Sequence, residues 1–293
     1  MSMHALLLLA MLVLANASAQ AIEPAWHDFD VGVSDELDFG SERVALLLRA
    51  TVNRRNCHVQ LDTGASMSIL WHSQRPAGAP PRPVRVTLRV GDVEREIEAD
   101  AANLGPLQGQ ACAGVLATVG NAFFDHGTLT VDLGGDRFAF AAGSNLGKDP
   151  AAQPMRYLRS GTEGGHPLVD VVLDNGLRGQ MLLDTGAARF GLAALNATQW
   201  EALSGGLPLK VNDRVRAFNA TNAKDVESSA CYEAVVAGHM TVAGKNLRQA
   251  LVSYCQVRKF QLSEPLIGVL GLRPLAGRCV VIDYVGQRWL LSD

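Results

Sequence analysis

Two Asp-Thr-Gly tripeptides are the residues of this chain whose types and spacing could carry out chemistry. They occupy 62–64 and 184–186, 122 positions apart, and each ends a short apolar run. Two carboxyl groups brought face to face cannot both ionise, so they share one proton. The ionised partner can then take a proton from water while the protonated partner hydrogen-bonds a substrate carbonyl. The pattern therefore indicates hydrolysis, provided that the fold brings Asp62 and Asp184 together.

An internal duplication surrounds the two tripeptides. Each one follows an apolar run, a turn of Asn, Asp or Gly, and a second apolar run, which is the pattern of a β-hairpin. The turn residues Asn53 and Asn175 both precede their aspartate by nine positions. Further along, Val119-Gly120 matches Leu270-Gly271, and each pair is followed by an apolar strand that ends in aspartate. Two copies of one unit in one chain provide the pseudo-two-fold axis that the chemistry needs.

Short apolar or alternating runs between Gly, Asn and Asp turns predict a fold built of β-strands. The clearest hairpin outside the tripeptides joins 84–90 to 93–99. Helix is scarce, and the best candidate is 197–203 with Asn196 as its N-cap. The large aromatic residues Trp71, Phe138 and Trp289 are predicted to lie in the core.

The other polar residues of the repeat receive structural interpretations. We expect the two strand-ending aspartates, Asp132 and Asp283, to pair with nearby arginines or to cap turns. The histidines His126, His166 and His239 are interpreted as surface or hydrogen-bonded structural residues.

The first 19 residues are predicted to be a secretory signal peptide. An apolar run at 5–15 is followed by the small-residue sequence Ala-Ser-Ala at 17–19. The run is too short to cross a membrane comfortably, and no later stretch is long and apolar enough. We therefore expect an exported protein, periplasmic or secreted, without a membrane segment.

The charge pattern argues against nucleic acid and metal as partners. The formal net charge is −3, and no basic tract or zinc-type spacing of Cys and His occurs. No cofactor and no metal ion are expected. The chain has five cysteines, which in an exported protein indicates two disulfides and one thiol. Spacing does not determine the connectivity; we favour bridges within lobes, Cys57 with Cys112 and Cys231 with Cys255, and a buried thiol at Cys279.

The duplicated unit resembles the aspartic peptidases, specifically the retropepsin-like group of bacterial exported proteins in a pepsin-like single-chain arrangement. The resemblance covers nearly all of the chain after residue 19 and rests on elements found twice: the hairpin into Asp-Thr-Gly, the hydrophobic-hydrophobic-Gly element and the closing strand. It implies an all-β, bilobal acid-protease fold, with two homologous β-barrel-like lobes around a central cleft and a six-stranded sheet at the interface. The lobes would span 20–145 and 166–293, with a linker at 146–165.

The resemblance also assigns roles to the residues of the site. Asp62 and Asp184 would be the catalytic dyad, and the hydrophobic-hydrophobic-Gly elements would lie beneath them. Catalytic support would come from two threonines that hydrogen-bond across the lobe interface, from two glycines that let backbone amides approach the carboxylates, and from one hydroxyl: Thr63, Thr185, Gly64, Gly186 and Ser66.

Two departures from the family pattern carry predictions. Ser66 has its counterpart in Ala188, which has no hydroxyl, so we predict that Asp184 carries the shared proton more often than Asp62. The first copy has too few residues after Trp71 for a hairpin that closes over substrate. The second copy is longer at 209–233, which predicts a single flap from the second lobe, with Asn219, Ala220, Thr221 and Asn222 at its tip.

These features predict an aspartic endopeptidase that binds a polypeptide in an extended conformation. A monomer should suffice, because both aspartates lie in one chain. The alternative is a non-catalytic peptide- or protein-binding module on the same fold, which Ala188 and the missing first-lobe flap favour. Retention of both aspartates argues against it, since a pure binder gains nothing by burying two like charges. A processing enzyme that needs a partner to complete its cleft is a third possibility.

Overall fold

The computed structural model describes residues 25–32, 45–71, 82–101, 115–159, 164–210, 231–236, 238–248, 251–255 and 265–293. Within these ranges the chain forms twenty β-strands, one α-helix and two short 3-10 helices. The predicted signal peptide, Cys112 and the predicted flap tip at 219–222 lie outside the described residues.

The first half of the chain contains nine strands: β1 (Trp26–Gly32), β2 (Ala45–Val52), β3 (Arg55–Leu61), β4 (Ser68–Leu70), β5 (Arg82–Val90), β6 (Val93–Ala101), β7 (Val115–Val119), β8 (Gly127–Asp132) and β9 (Arg137–Ala142). The second half contains β10 (Gln153–Arg159), β11 (Gly165–Leu173), β12 (Arg178–Leu183), β13 (Leu192–Ala194), α1 (Ala197–Ser204), β14 (Cys231–Val235), β15 (His239–Val242), β16 (Lys245–Arg248), β17 (Leu251–Cys255), β18 (Gly268–Leu270), β19 (Cys279–Asp283) and β20 (Arg288–Ser292). The 3-10 helices are Asn121–Phe123 and Arg273–Leu275.

The strands of each half close into a small barrel. In the first half the pairing runs β2–β3–β7–β4–β6–β5 and returns to β2. The second half repeats this order as β11–β12–β18–β13–β17–β14, and β15, the strand that follows β14 in the chain, pairs with β11. In both halves the tripeptide strand pairs in parallel with the hydrophobic-hydrophobic-Gly strand. The duplication in the sequence is therefore a duplication of topology.

Tight turns join consecutive strands of the chain into hairpins. The hairpin of β2 and β3 turns at Asn53 and Arg54, whose φ angles are +48° and +67°. Two successive residues with positive φ match the right-handed twist of the flanking strands, and Asn tolerates this conformation better than most residues. The β5–β6 hairpin turns at Gly91 with φ +55°. Both predicted hairpins are confirmed.

A six-stranded antiparallel sheet joins the two halves. Its order is β1–β9–β8–β19–β20–β10, with three strands from each half. At its centre, β8 pairs with β19, and Val131 lies opposite Val280. The predicted all-β, two-lobed fold with six strands at the interface is confirmed. The segment 146–165, predicted as a linker, contributes β10 to this sheet.

Capping residues define both ends of helix α1. The Asn196 side chain accepts a hydrogen bond from the Gln199 amide at 2.9 Å, which satisfies one of the free N–H groups of the first turn. Gly205 ends the helix in the left-handed conformation, φ +70°. The face that contains Trp200 and Leu203 is buried.

The larger of two hydrophobic clusters among the described residues extends through both halves. Trp71, Phe138 and Trp289 are each no more than 2% exposed, as predicted. Burial of a large apolar side chain contributes about 1.5–3 kcal/mol. Because the core and the central sheet are both shared, the two halves support each other.

The strand-ending aspartates are equivalent in position but differ in partners. Asp132 forms an ion pair with Arg137 at 2.8 Å and accepts bonds from the amides of the following turn. Asp283 is fully buried and accepts hydrogen bonds from the Ser144 hydroxyl and the Gly286 amide. The arginine after it, Arg288, donates to backbone carbonyls instead. Both aspartates are structural.

One of the two predicted disulfides is present. Cys231 and Cys255 lie directly opposite each other on β14 and β17 and form the expected bridge. The predicted Cys57–Cys112 bridge is wrong for this structure, because Cys57 is a half-buried free thiol at the β2–β3 hairpin, close to the amide of Val52. Cys279 is also a free thiol, half-buried on β19.

Within the described ranges, no helix is both long enough and apolar enough to span a membrane.

Candidate active site

Each Asp-Thr-Gly loop begins at the end of a strand that a parallel neighbour holds in place. The Asp62 amide donates to the Val119 carbonyl at 3.1 Å, and the Asp184 amide donates to the Leu270 carbonyl at 3.0 Å. Behind these contacts, a Cβ on Gly120 or Gly271 would lie within 2.4 Å of a backbone carbonyl of the loop above. Only glycine allows the chains to cross this closely, which explains the glycine in both copies of the element.

The two threonines connect the loops across the pseudo-two-fold axis. The Thr63 amide donates to the Thr185 hydroxyl at 2.9 Å, and the Thr185 amide donates to the Thr63 hydroxyl at 3.0 Å. Each hydroxyl then donates across the axis, from Thr63 to the Leu183 carbonyl and from Thr185 to the Leu61 carbonyl. Four hydrogen bonds between fully buried groups therefore fix the distance between the two aspartates.

The two carboxyl groups face each other and hydrogen-bond directly. Each is also packed against the glycine of the opposite loop. A Cβ on Gly64 would lie 2.6 Å from the Asp184 carboxyl carbon, and one on Gly186 would lie 2.5 Å from that of Asp62. Any side chain at either glycine would push the carboxyls apart, so both positions require glycine. Both aspartates are partly exposed, so water reaches the pair although it lies deep in the fold.

Burial and mutual repulsion raise the pKa of the pair. The pKa of Asp62 lies well above the ordinary 3.8, first because of burial and then because of the Asp184 charge and hydrogen bond. Burial also raises the pKa of Asp184, but the hydrogen bonds it accepts oppose the increase. The pair therefore holds one proton over a pH range in which isolated carboxyls would both be ionised.

Backbone amides support the two carboxyl groups unequally. Asp184 accepts hydrogen bonds from the amides of Gly186 (2.8 Å) and Ala187 (3.2 Å). Asp62 accepts one from the amide of Gly64 at 2.8 Å. The Ser66 hydroxyl is not among the groups that support the Asp62 carboxylate. The prediction that Asp184 carries the shared proton more often considered only the side chain at this position, and it stays a prediction.

Three residues lie behind the first loop; the sequence pattern did not single out Asn121 or Tyr284, and it gave His166 only a structural interpretation. The Asn121 amide group donates to the carbonyls of Thr63 (2.7 Å), Ala65 (3.1 Å) and Gly165 (2.8 Å). Its oxygen accepts from the Tyr284 hydroxyl at 2.7 Å. His166 is 6% exposed, and its ring hydrogen-bonds the carbonyl of Gly64. One difference between the two copies could have pointed to Asn121. The residue after the glycine of the hydrophobic-hydrophobic-Gly element is Asn121 in the first copy and Leu272 in the second.

An ion pair lies behind the second loop. Arg189 and Glu233 are 3.3 Å apart with side chains about one-tenth exposed, and the Ser253 hydroxyl also donates to Glu233. Glu233 is on β14, next to the Cys231–Cys255 bridge. The second loop is therefore connected to β14, whose first residues are the last of the predicted flap. Within the described ranges, no group of three or more His, Cys, Asp or Glu side chains could hold a metal ion.

No protein-family model and no curated protein matches the chain. Among solved structures, the chain is similar to the crystal structure of aspartic proteinase from Irpex lacteus, with 13% identity over 92% of this chain and 97% of that chain. The TM-score is 0.47. Neither value is high enough to transfer a function, so we base the functional proposal on the geometry of the site.

Proposed function

We propose that this protein is an aspartic endopeptidase that hydrolyses peptide bonds with a water molecule activated by Asp62 and Asp184. The observation that carries the proposal is the pair of facing, hydrogen-bonded carboxyl groups, with the crossed threonine bonds that hold them in place. Burying two like charges is unfavourable for stability. A proton-sharing pair that solvent can reach has a chemical use that repays this cost.

The mechanism uses the shared proton. The ionised carboxyl accepts a proton from water as the water oxygen attacks the carbonyl carbon, while the protonated carboxyl gives its proton to the carbonyl oxygen. The product is a tetrahedral diol, and the proton and the charge have exchanged places on the pair. The newly protonated carboxyl then gives its proton to the amide nitrogen as the C–N bond breaks, and the newly ionised carboxyl takes a proton from one diol hydroxyl. This releases an amine and a carboxylic acid and returns the pair to its starting state. The Gly64 amide stabilises the charge when it lies on Asp62, and the Gly186 and Ala187 amides stabilise it when it lies on Asp184.

An extended polypeptide is the substrate that this proposal implies, bound in the cleft between lobes at 20–145 and 166–293. We place the flap at 209–233 in the second lobe. Its final residues are held by the Cys231–Cys255 bridge and the Arg189–Glu233 pair. Shortening 219–225 should abolish cleavage without unfolding the protein.

Export and a monomeric state are parts of the same proposal. A disulfide persists in oxidising compartments, and the one observed is consistent with removal of 1–19 during passage to the periplasm or the exterior. The crossed bonds between Thr63 and Thr185 complete the dyad inside one chain, so no second copy is required.

The test is cleavage of an unfolded protein mixture by the purified mature chain from acid to neutral pH. We expect the parent to generate new peptide termini and both Asp62→Asn and Asp184→Asn to generate none. Asp28→Asn changes an exposed carboxyl away from the dyad and should retain full activity. Absence of cleavage by a folded parent at every pH would favour the binding module; the same extended peptides should then bind to it without turnover.

A further inference from the structure

Side chains hold all three successive carbonyl groups of the first catalytic loop. Asn121 donates to the carbonyls of Thr63 and Ala65, and His166 donates to that of Gly64 between them. Both residues are buried, Asn121 completely and His166 to 6% exposure. They come from different parts of the fold, the 3-10 helix after β7 and the start of β11. Such a convergence on one loop exceeds what a turn needs for its own stability.

Two of these carbonyls belong to peptide units that contact Asp62. The Thr63 carbonyl shares a peptide unit with the Gly64 N–H, which donates to the Asp62 Oδ1 at 2.8 Å. The Gly64 carbonyl shares a unit with the Ala65 N–H, which donates to the main-chain carbonyl of Asp62 at 3.3 Å and also favours the ionised form of the Asp62 carboxyl group. A donor placed on a peptide carbonyl polarises the unit and makes its N–H a stronger donor. Each side chain is therefore one peptide unit away from the carboxylate.

We propose that Asn121 and His166 are positioning residues that act on Asp62 through the peptide units Thr63–Gly64 and Gly64–Ala65. They orient the two N–H groups toward the carboxyl group and strengthen both hydrogen bonds to its ionised form. The Tyr284 hydroxyl donates to the Asn121 oxygen and so fixes which end of the amide faces the loop. The inference rests on the proposed function, since it concerns the same dyad.

The second loop is supported differently. The position of Asn121 is taken there by Leu272, and the Ala187 carbonyl accepts from the backbone amides of Phe190 and Leu272. The relay therefore belongs to the first loop, whose Gly64 N–H donates to Asp62 at 2.8 Å. Asp184 is the charged group that acts directly on Asp62, and His166 and Tyr284 are the titratable groups packed behind its loop.

This difference predicts which step of the titration moves. A pair that holds one proton titrates in two steps, and the apparent pKa values belong to the pair. The second step leaves both carboxyl groups ionised, Asp62 included. Weaker hydrogen bonds to ionised Asp62 make that step harder, so the upper apparent pKa should rise. Each lost relay should shift the upper value by a few tenths of a pH unit.

The experiment is a carbon-13 NMR titration of the aspartate carboxyl groups in the full mature chain, which needs no turnover. Asn121→Leu places the residue of the second copy in the first. His166→Phe removes the ring donor and retains a flat ring, whereas His166→Gln restores a donor. We expect the upper pKa to rise in Asn121→Leu and His166→Phe and to return toward the parent value in His166→Gln. If Asn121→Leu does not fold, the two His166 variants carry the test.

Ser144→Ala is the structural control, because it removes a part-buried hydrogen bond to Asp283, a residue that makes no hydrogen bond to either catalytic loop. It should lower Tm without moving either carboxyl pKa. The proposal is overturned if folded Asn121→Leu and His166→Phe lower Tm in the same way and leave the upper pKa unchanged. A parent that shows two coupled carboxyl titrations but cleaves no polypeptide would count against the proposed function. The upper pKa values of the Asn121 and His166 variants would still decide the present inference.

Discussion

Asp62 and Asp184 oppose folding at neutral pH. The unfolded carboxyls ionise near 3.8, whereas the folded pair retains a proton to higher pH. The folded state therefore binds more protons than the unfolded state above pH 3.8, and stability falls as pH rises through the folded pKa. Below pH 3.8 both states are protonated and the penalty disappears. The residues proposed to do the chemistry are thus the ones that cost stability.

Asp62→Asn should stabilise the protein at pH 7, because it removes one of two buried like charges. We expect Tm to rise by about 3 °C or more at pH 7, with no gain at pH 3. Thermal unfolding followed by circular dichroism at both pH values tests this. The exposed Asp28→Asn should change neither value. An unchanged or lower Tm for Asp62→Asn at pH 7 would mean that the amide loses more hydrogen bonding than the charge costs.

Thr63 and Thr185 should contribute equally to stability, since each hydroxyl donates one hydrogen bond and accepts one across the axis. Replacement of either by Val deprives a buried N–H and a buried carbonyl of a partner. Each variant should lower the free energy of unfolding by about 2–4 kcal/mol, measured by urea denaturation. The matched Thr→Ser variants retain the hydroxyl and should recover most of the loss. A large difference between the two Val variants would show that the two threonines, although related by symmetric geometry, contribute unequally to the free energy of unfolding.

At the scale of elements, the β14–β17 pair is the part of the second lobe where a covalent bond supplements strand pairing. Cys231 and Cys255 are separated by 24 positions, and the residues between them include β15 and β16. Cross-linking reduces the number of conformations that the unfolded chain can adopt. The bridge also fixes the strand that bears Glu233 and its partner Arg189.

Replacement of both bridge cysteines by Ser should lower the free energy of unfolding by about 3 kcal/mol, the chain-entropy value for a loop of this length. Urea unfolding of the double variant measures it. Cys279→Ser changes a half-buried thiol on another sheet and should have a smaller effect. If the double variant were as stable as the parent, the pairing of β14 with β17 would suffice without the bond.

At the scale of the whole molecule, the six-stranded sheet and the shared core make the two lobes interdependent. The catalytic geometry depends on this, because each threonine hydroxyl belongs to one lobe and each of its partners to the other. A shift between the lobes would separate the carboxyls. Rigid association of the lobes is therefore a condition for proton sharing.

Trp289→Ala should destabilise both lobes together. The side chain is 1% exposed on β20, which lies in the shared sheet, and its removal should cost about 3–5 kcal/mol. We expect one calorimetric transition at lower Tm in the variant, with calorimetric and van't Hoff enthalpies equal. Two separate transitions would show that the lobes unfold independently.

The sequence by itself determined the elements and their order. Some residues act only on neighbours within a few positions, so their effects can be predicted from the sequence. Examples are the turn residues Asn53 and Gly91, the helix cap Asn196 and the repeated tripeptides. The pairing of two Asp-Thr-Gly loops also followed from duplication, because two copies of one unit pack about a common axis. The disulfide of Cys231 with Cys255 was predicted by favouring bridges within a lobe, because spacing does not determine the connectivity.

Only the tertiary structure decided how each aspartate is supported. The donors to the first loop, Asn121 and His166, are joined to it by contacts between residues far apart in sequence, and Tyr284 reaches Asn121 across 163 positions. The number of amides that reach each carboxylate depends on the course of the backbone and not on residue type. For that reason the unequal amide support of Asp62 and Asp184 could not be predicted from the sequence. Local patterns specify strands and turns, whereas proton affinity depends on the complete set of neighbours that folding assembles.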